Sequence, residues 1–506
     1  MESLINLMAG FGQVLTPQNL IWVALGAFLG TAVGVLPGLG SAMAVALLLP
    51  LTFTLDPVAA LTMFAGIYFG GLFGDSISGI LMNTPGNSTA IASAFEGHRM
   101  AQTGRASQAL ATAAIGAFLG GLIATTLVVF FAPVMANLAT SFGPAEYFAL
   151  ALFAFVAISA VVADSVIRGL AALTIGLTLA VIGIDQSTGT ARFTFGVDAL
   201  FDGISVVVIT VALLAVGEVF HVASKVGRPD EKRLIPTKGR PWLSRDEFRA
   251  ALPAWLRGTA FGVPFGIIPA GGAEVPTFLA YGTERRLDKR RAQPMFGQGS
   301  IQGVAGPEAA GNATAGTAMG ALLALGLPTS ATAALLLAAF QQYGMQPGPL
   351  LFERSGDVVW ALLASLFIAM IVLLILNLPF APMWAMLLKV PKEYLYSGIT
   401  VFAAFGVYAA GASLVDLGIM IALGVLGFIM RQYDIPLAPV LIALILGPLA
   451  EYSLRDAMAN SENNPAVLVS SPITIGLYAL LVFGVIWNAR RRAQERKVAA
   501  ELAAAE

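Results

Sequence analysis

Arg257 is followed by Gly258-Thr-Ala-Phe-Gly-Val-Pro-Phe-Gly-Ile-Ile-Pro269-Ala-Gly-Gly272-Ala-Glu274-Val-Pro-Thr-Phe-Leu-Ala-Tyr-Gly-Thr-Glu284, and then by Arg285-Arg286. These 27 residues are mostly apolar, with basic residues at both ends. Two full membrane crossings need about 40 residues. A single crossing would put its two basic ends on opposite faces, against the accumulation of Lys and Arg in cytoplasmic loops. What remains is a re-entrant hairpin that dips in and returns, with its tip at the helix-breaking Pro269-Ala270-Gly271-Gly272.

The rest of the chain has the composition of a membrane protein. Of 506 residues, 11% are charged and 57% hydrophobic, against about 25% charged in soluble chains. Charge-free runs cover 53 residues from Ser3 to Leu55, 40 from Ala106 to Ala145 and 31 from Val358 to Leu388. A spanning helix needs about 20 apolar residues, so the fold class is an all-α polytopic membrane protein. Alternating outer-membrane strands do not produce such runs. With no Cys and only His98 and His221, thiol chemistry and multi-His metal centres are excluded. Met1-Glu2 has no basic n-region, so no cleaved leader is expected.

Motifs recur in order along the two halves. Gly34-Val-Leu-Pro37-Gly-Leu-Gly40 matches Gly266-Ile-Ile-Pro269-Ala-Gly-Gly272, and Thr84-Pro85-Gly86-Asn87-Ser88-Thr89 matches Leu327-Pro328-Thr329-Ser330-Ala331-Thr332. Pro144-Ala-Glu146-Tyr147 matches Pro391-Lys-Glu393-Tyr394, and Glu218 matches Glu451 more loosely. The dense cation clusters at 225–257, 285–291 and 490–497 are assigned to the cytoplasm. Counting helices outward leaves only Arg192, Arg354 and Arg455 outside, of 28 Lys and Arg. The Pro-Ala-Glu-Tyr loop then lies outside and its counterpart with Lys389 and Lys392 inside. That is an inverted-topology repeat with re-entrant hairpins and discontinuous helices; the alternative is a parallel duplication with fortuitous loop charges. The expected organisation is an N-terminal segment (1–17), a first repeat (18–224) and a basic cytoplasmic linker (225–257). A second repeat (258–453), a periplasmic loop with a final helix (454–489) and a cytoplasmic tail (490–506) follow. Trp242 and Trp255 suit an interfacial segment at the end of the linker.

Irregular backbone at membrane depth survives only where protein or a water-filled cavity satisfies it, so all four breaks are candidate site linings. Ser and Thr beside Pro85 and Pro328 stand where new helical halves begin, and exposed N–H groups there attract anions. Inversion would point these two starts at each other near the midplane. No Lys or Arg is left for the membrane core. An anionic ligand is therefore expected on N–H groups, hydroxyls and amides of Gly38, Gly40, Ser41, Asn87, Ser88, Thr89, Gly271, Gly272, Asn312, Thr329, Ser330 and Thr332. The intramembrane acids Asp75, Glu274 and Glu308 are candidates for ion coupling, by Na⁺ or by a proton. The bland alternatives are close packing for the small residues and buried protonated acids satisfied by neighbours. Gly74-Asp75-Ser76-Ile77-Ser78-Gly79 looks loosely like a hydrolase elbow, but neither histidine is placed to serve it, and an enzyme is not expected.

With Leu81-Met82-Asn83-Thr84-Pro85-Gly86, Tyr281, Glu284-Arg285-Arg286-Leu287 and Pro307-Glu308-Ala309-Ala310-Gly311-Asn312-Ala313 added to the hairpin motifs, the sequence from about 19 to 485 resembles the large membrane subunit of bacterial tripartite tricarboxylate transporters, TctA-like. The resemblance implies ion-gradient-driven uptake of a small carboxylate across the bacterial inner membrane, with no cofactor. It also implies two partners, a small membrane subunit and a periplasmic solute-binding protein. Asp75 and Glu274 depart from the small or neutral residues expected there, and Leu327-Pro328-Thr329 replaces a Pro-Gly pair. A stand-alone antiporter and a non-transporting membrane scaffold remain as alternatives.

Overall fold

The computed structural model describes residues 2–36, 39–52, 55–162, 165–185, 187–225, 234–237, 242–268, 272–290 and 294–486. The first half runs α1 (Glu2–Val14), α2 (Pro17–Val35), α3 (Ser41–Leu48), α4 (Pro57–Met82), α5 (Ile91–Gln102), α6 (Ala106–Ala139), α7 (Pro144–Val162) and α8 (Val166–Ala180). A short hairpin pairs β1 (Gly183–Ile184) with β2 (Ala191–Arg192). Next come α9 (Val206–Thr210), a π-helical stretch Val211–Val216 and α10 (Gly217–Ala223). The second half runs α11 (Arg245–Ile267), α12 (Glu274–Asp288), α13 (Ile301–Leu325), α14 (Ala331–Gln342), α15 (Leu351–Arg354), α16 (Gly356–Asn377), α17 (Ala381–Leu387), α18 (Lys392–Gly411), α19 (Leu414–Gln432) and α20 (Leu437–Asn460). A last apolar helix spans Pro472–Ile486. Eight of these helical segments, among the described residues, are long and apolar enough to cross a membrane. The chain is an all-α polytopic membrane protein.

Local chemistry sets the helix ends. Asp56 caps α4 by accepting from the Val58 and Ala59 N–H groups, with Pro57 as first helical residue. Asn83 ends it in the left-handed conformation at φ 54°. Gly326 ends α13 the same way at φ 69°, 243 positions later. A Ser244–Glu247 capping box starts α11. Helix α11 then continues unbroken through Arg257, so the expected border at 257/258 falls inside a helix. Cation clusters mark a membrane surface, whereas helix ends are set by caps and breakers. Trp255 is fully buried within the protein and donates through Nε1 to the Thr112 carbonyl. Trp242 is exposed.

Two close helix pairs form the centre of the larger compact unit, which contains α1–α6 and α9–α19. On α2, Gly26, Gly30 and Gly34 face the Met63, Ile67 and Gly71 carbonyls of α4. On α11, Gly258, Gly262 and Gly266 face the Gly306, Ala310 and Thr314 carbonyls of α13. A Cβ at any of the six would overlap these backbone atoms. The two glycine ladders stand 232 positions apart and their mates 243 apart, so both halves repeat one packing. The price of such contact in conformational entropy is offset by backbone dispersion, the main attraction between helices in lipid. Helices α4 and α13 are consequently buried almost along their whole length.

The compact units do not follow the two halves. Helices α9 and α10 and the π-helical stretch between them pack on α18 and α19 in the larger unit, whereas α20 packs on α7 and α8 in the smaller one. Each half thus gives its last crossing to helices of the other. In the smaller unit, the 181–204 loop is tied to α20 by Asp185–Arg455 at 2.8 Å and Arg192–Glu451 at 2.8 Å. Hydrogen bonds from Thr188, Arg455 and the Ser187 N–H hold the Asp185 carboxyl well below the usual carboxylate range.

Gly262→Ala is expected to lower folded stability by about 1–3 kcal/mol, as overpacking does, while Gly282→Ala on α12, with open space at its Cβ, raises it by up to about 1 kcal/mol. Equal melting temperatures for the two variants would contradict the ladder. Because the Asp185 pKa is depressed on folding, its anchorage is complete above the ordinary Asp value of about 3.9 and is lost only as pH falls through the lower folded value. Hydrogen exchange in 183–204 should therefore be equally protected at pH 7 and pH 4, and deprotected at both in Asp185→Ala.

Candidate functional site

All four expected breaks separate helices: α2 from α3, α4 from α5, α11 from α12 and α13 from α14. Pro37, Gly38, Pro269, Ala270 and Gly271 lie outside the described residues. Gly40 caps α3 in extended conformation. A Cβ there would strike Asn87 Oδ1, so the two breaks of the first half touch. The left-handed Asn83 turns the chain back along α4. The Gly86 and Asn87 N–H groups then reach Asp75, which accepts the first on Oδ1 and the second on Oδ2 at 2.9 Å. Asp75 is fully buried.

Contacts also join the halves. Ser41 Oγ on α3 and Thr332 Oγ1 on α14 are 3.0 Å apart and buried, 291 positions apart in sequence. Both belong to the first turn of a helix that begins after a break. On the repeat-related side, Thr89 and Thr277 of α12 close on Gly311 of α13. Direct contact therefore runs between the hairpin of one half and the interrupted helix of the other. The expected meeting of the Pro85 and Pro328 starts with each other is not among these contacts.

Glu308 on α13 is buried and accepts from Ser76 Oγ on α4 at 2.8 Å and Ser93 Oγ on α5 at 2.6 Å. One turn on, Asn312 donates through Nδ2 to the Glu308 carbonyl at 3.1 Å. Asn312 Oδ1 and Thr84 Oγ1 are buried without a partner among the described residues. Helices α2, α3, α4, α13 and α14 and both turns at 83–90 and 326–330 contain no Lys or Arg. The set can accept an anion on N–H and hydroxyl groups, and a cation or proton on its two acids. A small pocket of about 10 Å³, room for about one water, lies beyond Ser76, lined by Phe73, Ile77, Leu110 and Asn377; it is too small and too apolar for a carboxylate.

The structure therefore gathers Gly40, Ser41, Asp75, Asn87 and Thr332 in one group, and Thr89, Glu308 and Asn312 in another. Thr329 is buried beside the second break. The side chain of Ser88 is not described. Ser330 is a helix cap, its Oγ accepting from the Ala333 N–H at 3.2 Å, so its alanine variant costs stability of about 1 kcal/mol rather than affinity alone. Gly272 has left-handed φ of 68°, and Glu274 is half-buried in the first turn of α12. Sequence reasoning missed Ser76, Ser93, Gly86 and Thr277, and also Glu96. The last is buried on α5 and accepts from the Gly297, Gly299 and Ser300 N–H groups at 2.7–3.0 Å, holding the loop that enters α13.

A family model described as "Tripartite tricarboxylate transporter TctA family" matches residues 20–442. An Agrobacterium vitis protein, "Uncharacterized 52.8 kDa protein in TAR-I ttuC' 3'region", is 40% identical over 480 residues, covering 95% of each chain. A second from the same organism, "Uncharacterized protein in TAR-II ttuC' 3'region", is 37% identical over 225 residues, 44% of this chain and 92% of that one. No solved structure matches. The family model covers most of the chain and the first relative nearly all of it: this protein belongs to the tripartite tricarboxylate transporter TctA family.

Proposed function

We propose that the chain is the large membrane subunit of a binding-protein-dependent carrier that takes up a small di- or tricarboxylate across the bacterial inner membrane, driven by an ion gradient. The observation that carries this is the Ser41–Thr332 contact. It brings the first turns of two half-helices, one from each half, to one buried point with no cation nearby, where a carboxylate finds N–H dipoles and hydroxyls. In this reading the halves are inverted, with 225–257 and 490–506 cytoplasmic. The site comprises Gly38, Gly40, Ser41, Asn87, Ser88, Thr89, Gly271, Gly272, Asn312, Thr329, Ser330 and Thr332. Asp75, Glu274 and Glu308 take the coupling ion, Na⁺ or a proton. The family's tripartite description supports a small membrane subunit and a periplasmic solute-binding protein as partners. Transport then needs the core around the breaks to move as a body against a scaffold, an elevator-like step.

Vesicles holding the chain with both partner subunits should accumulate labelled succinate or citrate under an ion gradient only when the periplasmic protein is present. Uptake without it would indicate a stand-alone antiporter, and none under any gradient a scaffold. For the junction itself, Ser41→Ala and Thr332→Val should show a coupling of about 0.5–1.5 kcal/mol in a double-mutant cycle on unfolding, the net worth of one hydrogen bond. Additive effects would mean that the two hydroxyls do not hold the half-helices together.

A further inference from the structure

We infer that Asp75 is a tethered competitor for the carboxylate site. Its side chain occupies the Gly86 and Asn87 N–H groups that a substrate carboxylate takes over, and one proton added to Asp75 makes the exchange. This inference rests on the carrier reading above and names both the coupling ion and its acceptor.

Two successive backbone N–H groups, one to each carboxylate oxygen, form a nest that suits any carboxylate. Here the ligand belongs to the chain, 11 and 12 positions upstream of its donors. Gly86 is built for close approach: a Cβ would press on the Leu39 carbonyl at 3.0 Å and on Asp75 Oδ1 at 3.2 Å. The nest also adjoins the second break of the same half, since Gly40 abuts Asn87. It thus sits at the centre of the first group of site residues, beside Ser41 and, through it, Thr332.

A substrate carboxylate and an ionised Asp75 cannot share this pair of donors, because no Lys or Arg on α2, α3, α4 or the 83–90 turn separates like charges. Nor can the ionised side chain simply swing away. It is fully buried, and the titratable group whose charge reaches it is another acid, Glu308 on α13. Helices α2, α3, α6, α14 and α17 carry no titratable group. On α5, Glu96 is engaged by the 297–300 loop, Arg99 by the Gly297 carbonyl and His98 by the Ile80 carbonyl. On α16, the acid is Asp357 in the first turn. Protonation resolves the conflict. A proton from solvent adds to one Asp75 oxygen, and the neutral acid releases the N–H pair to the incoming carboxylate. Substrate and proton then cross together. On release the proton leaves Asp75, and its carboxylate recaptures the N–H groups, closing the site against leakage of other anions.

The test is titration calorimetry of the full chain in nanodiscs with succinate and citrate at pH 6.5, 7.5 and 8.5, in two buffers of different ionisation enthalpy. The wild type should take up protons on binding, toward one per acid at pH 8.5, and lose affinity as pH rises across this range. Asp75→Asn should bind with no proton uptake, an affinity independent of pH and at least equal to the wild type at pH 6.5. In vesicles it should exchange carboxylate without accumulating it against a pH gradient. Wild-type binding at pH 8.5 without proton uptake overturns the inference, and needs no variant to fold. So does weaker binding by Asp75→Asn at every pH, or a proton count lost in Glu308→Gln but kept in Asp75→Asn. If the wild type binds neither acid at any pH, the carrier reading itself fails and this inference with it.

Discussion

The two glycine ladders, α2 on α4 and α11 on α13, are the constraint on which the rest depends. Backbones can approach this closely only where no Cβ intervenes, and in lipid such contact supplies attraction that hydrophobic burial does not. Because of it, α4 and α13 are enclosed by protein along their length. Enclosure in turn makes their interruptions tolerable: unpaired N–H and C=O groups at membrane depth must be met by protein. The Gly86 and Asn87 N–H groups are met by Asp75, and the start of α14 by Ser330.

The ladders also show where the halves differ. Eleven more residues separate ladder from mate in the second half than in the first. They go into a longer return helix, α12 with 15 residues against 8 in α3, and into the loop before α13. That loop is not left to itself. Glu96 of the first half gathers its Gly297, Gly299 and Ser300 N–H groups, and Asp288 accepts from Met295 and Phe296. An insertion in one half is thus fastened by a buried carboxylate of the other, and α5, α12 and α13 are held in one register.

Class, crossings and the positions of the four breaks were legible in the sequence because each rests on local chemistry: apolar run length, cation clusters, Pro and Gly. The Gly-x-x-x-Gly-x-x-x-Gly spacing at 26–34 and 258–266 was legible too and went unused, although it marks the duplication more sharply than the motifs at the breaks. What the sequence could not carry was partnership over distance. Ser41 and Thr332 have no shared pattern, and their contact depends on how hairpin and interrupted helix cross. The bond from Gly86 to Asp75 depends on the left-handed Asn83, which folds the chain back where propensity alone suggests only a helix end. The exchange of last crossings, α20 onto α7 and α8, is equally invisible, because an apolar helix does not name its neighbour.

The duplicated scaffold and the acids obey different rules. Position 75 corresponds to Ala318 in the other half by the 243-residue offset, and Glu308 corresponds to Ala65. Asp75 and Glu308 are thus buried acids at positions where the twin has alanine, and the charge of one reaches the other. A symmetric pair would be the simplest product of duplication. The symmetric part of the structure, ladders and breaks, places N–H and hydroxyl groups of both halves at the breaks. The asymmetric part supplies carboxyl groups held differently on each side, by backbone N–H groups at Asp75 and by hydroxyls at Glu308. Backbone N–H groups are fixed donors that must have an acceptor. Hydroxyls can turn and either donate or accept, so Glu308 can change protonation with its partners in place, whereas Asp75 cannot leave its donors unless another anion replaces it.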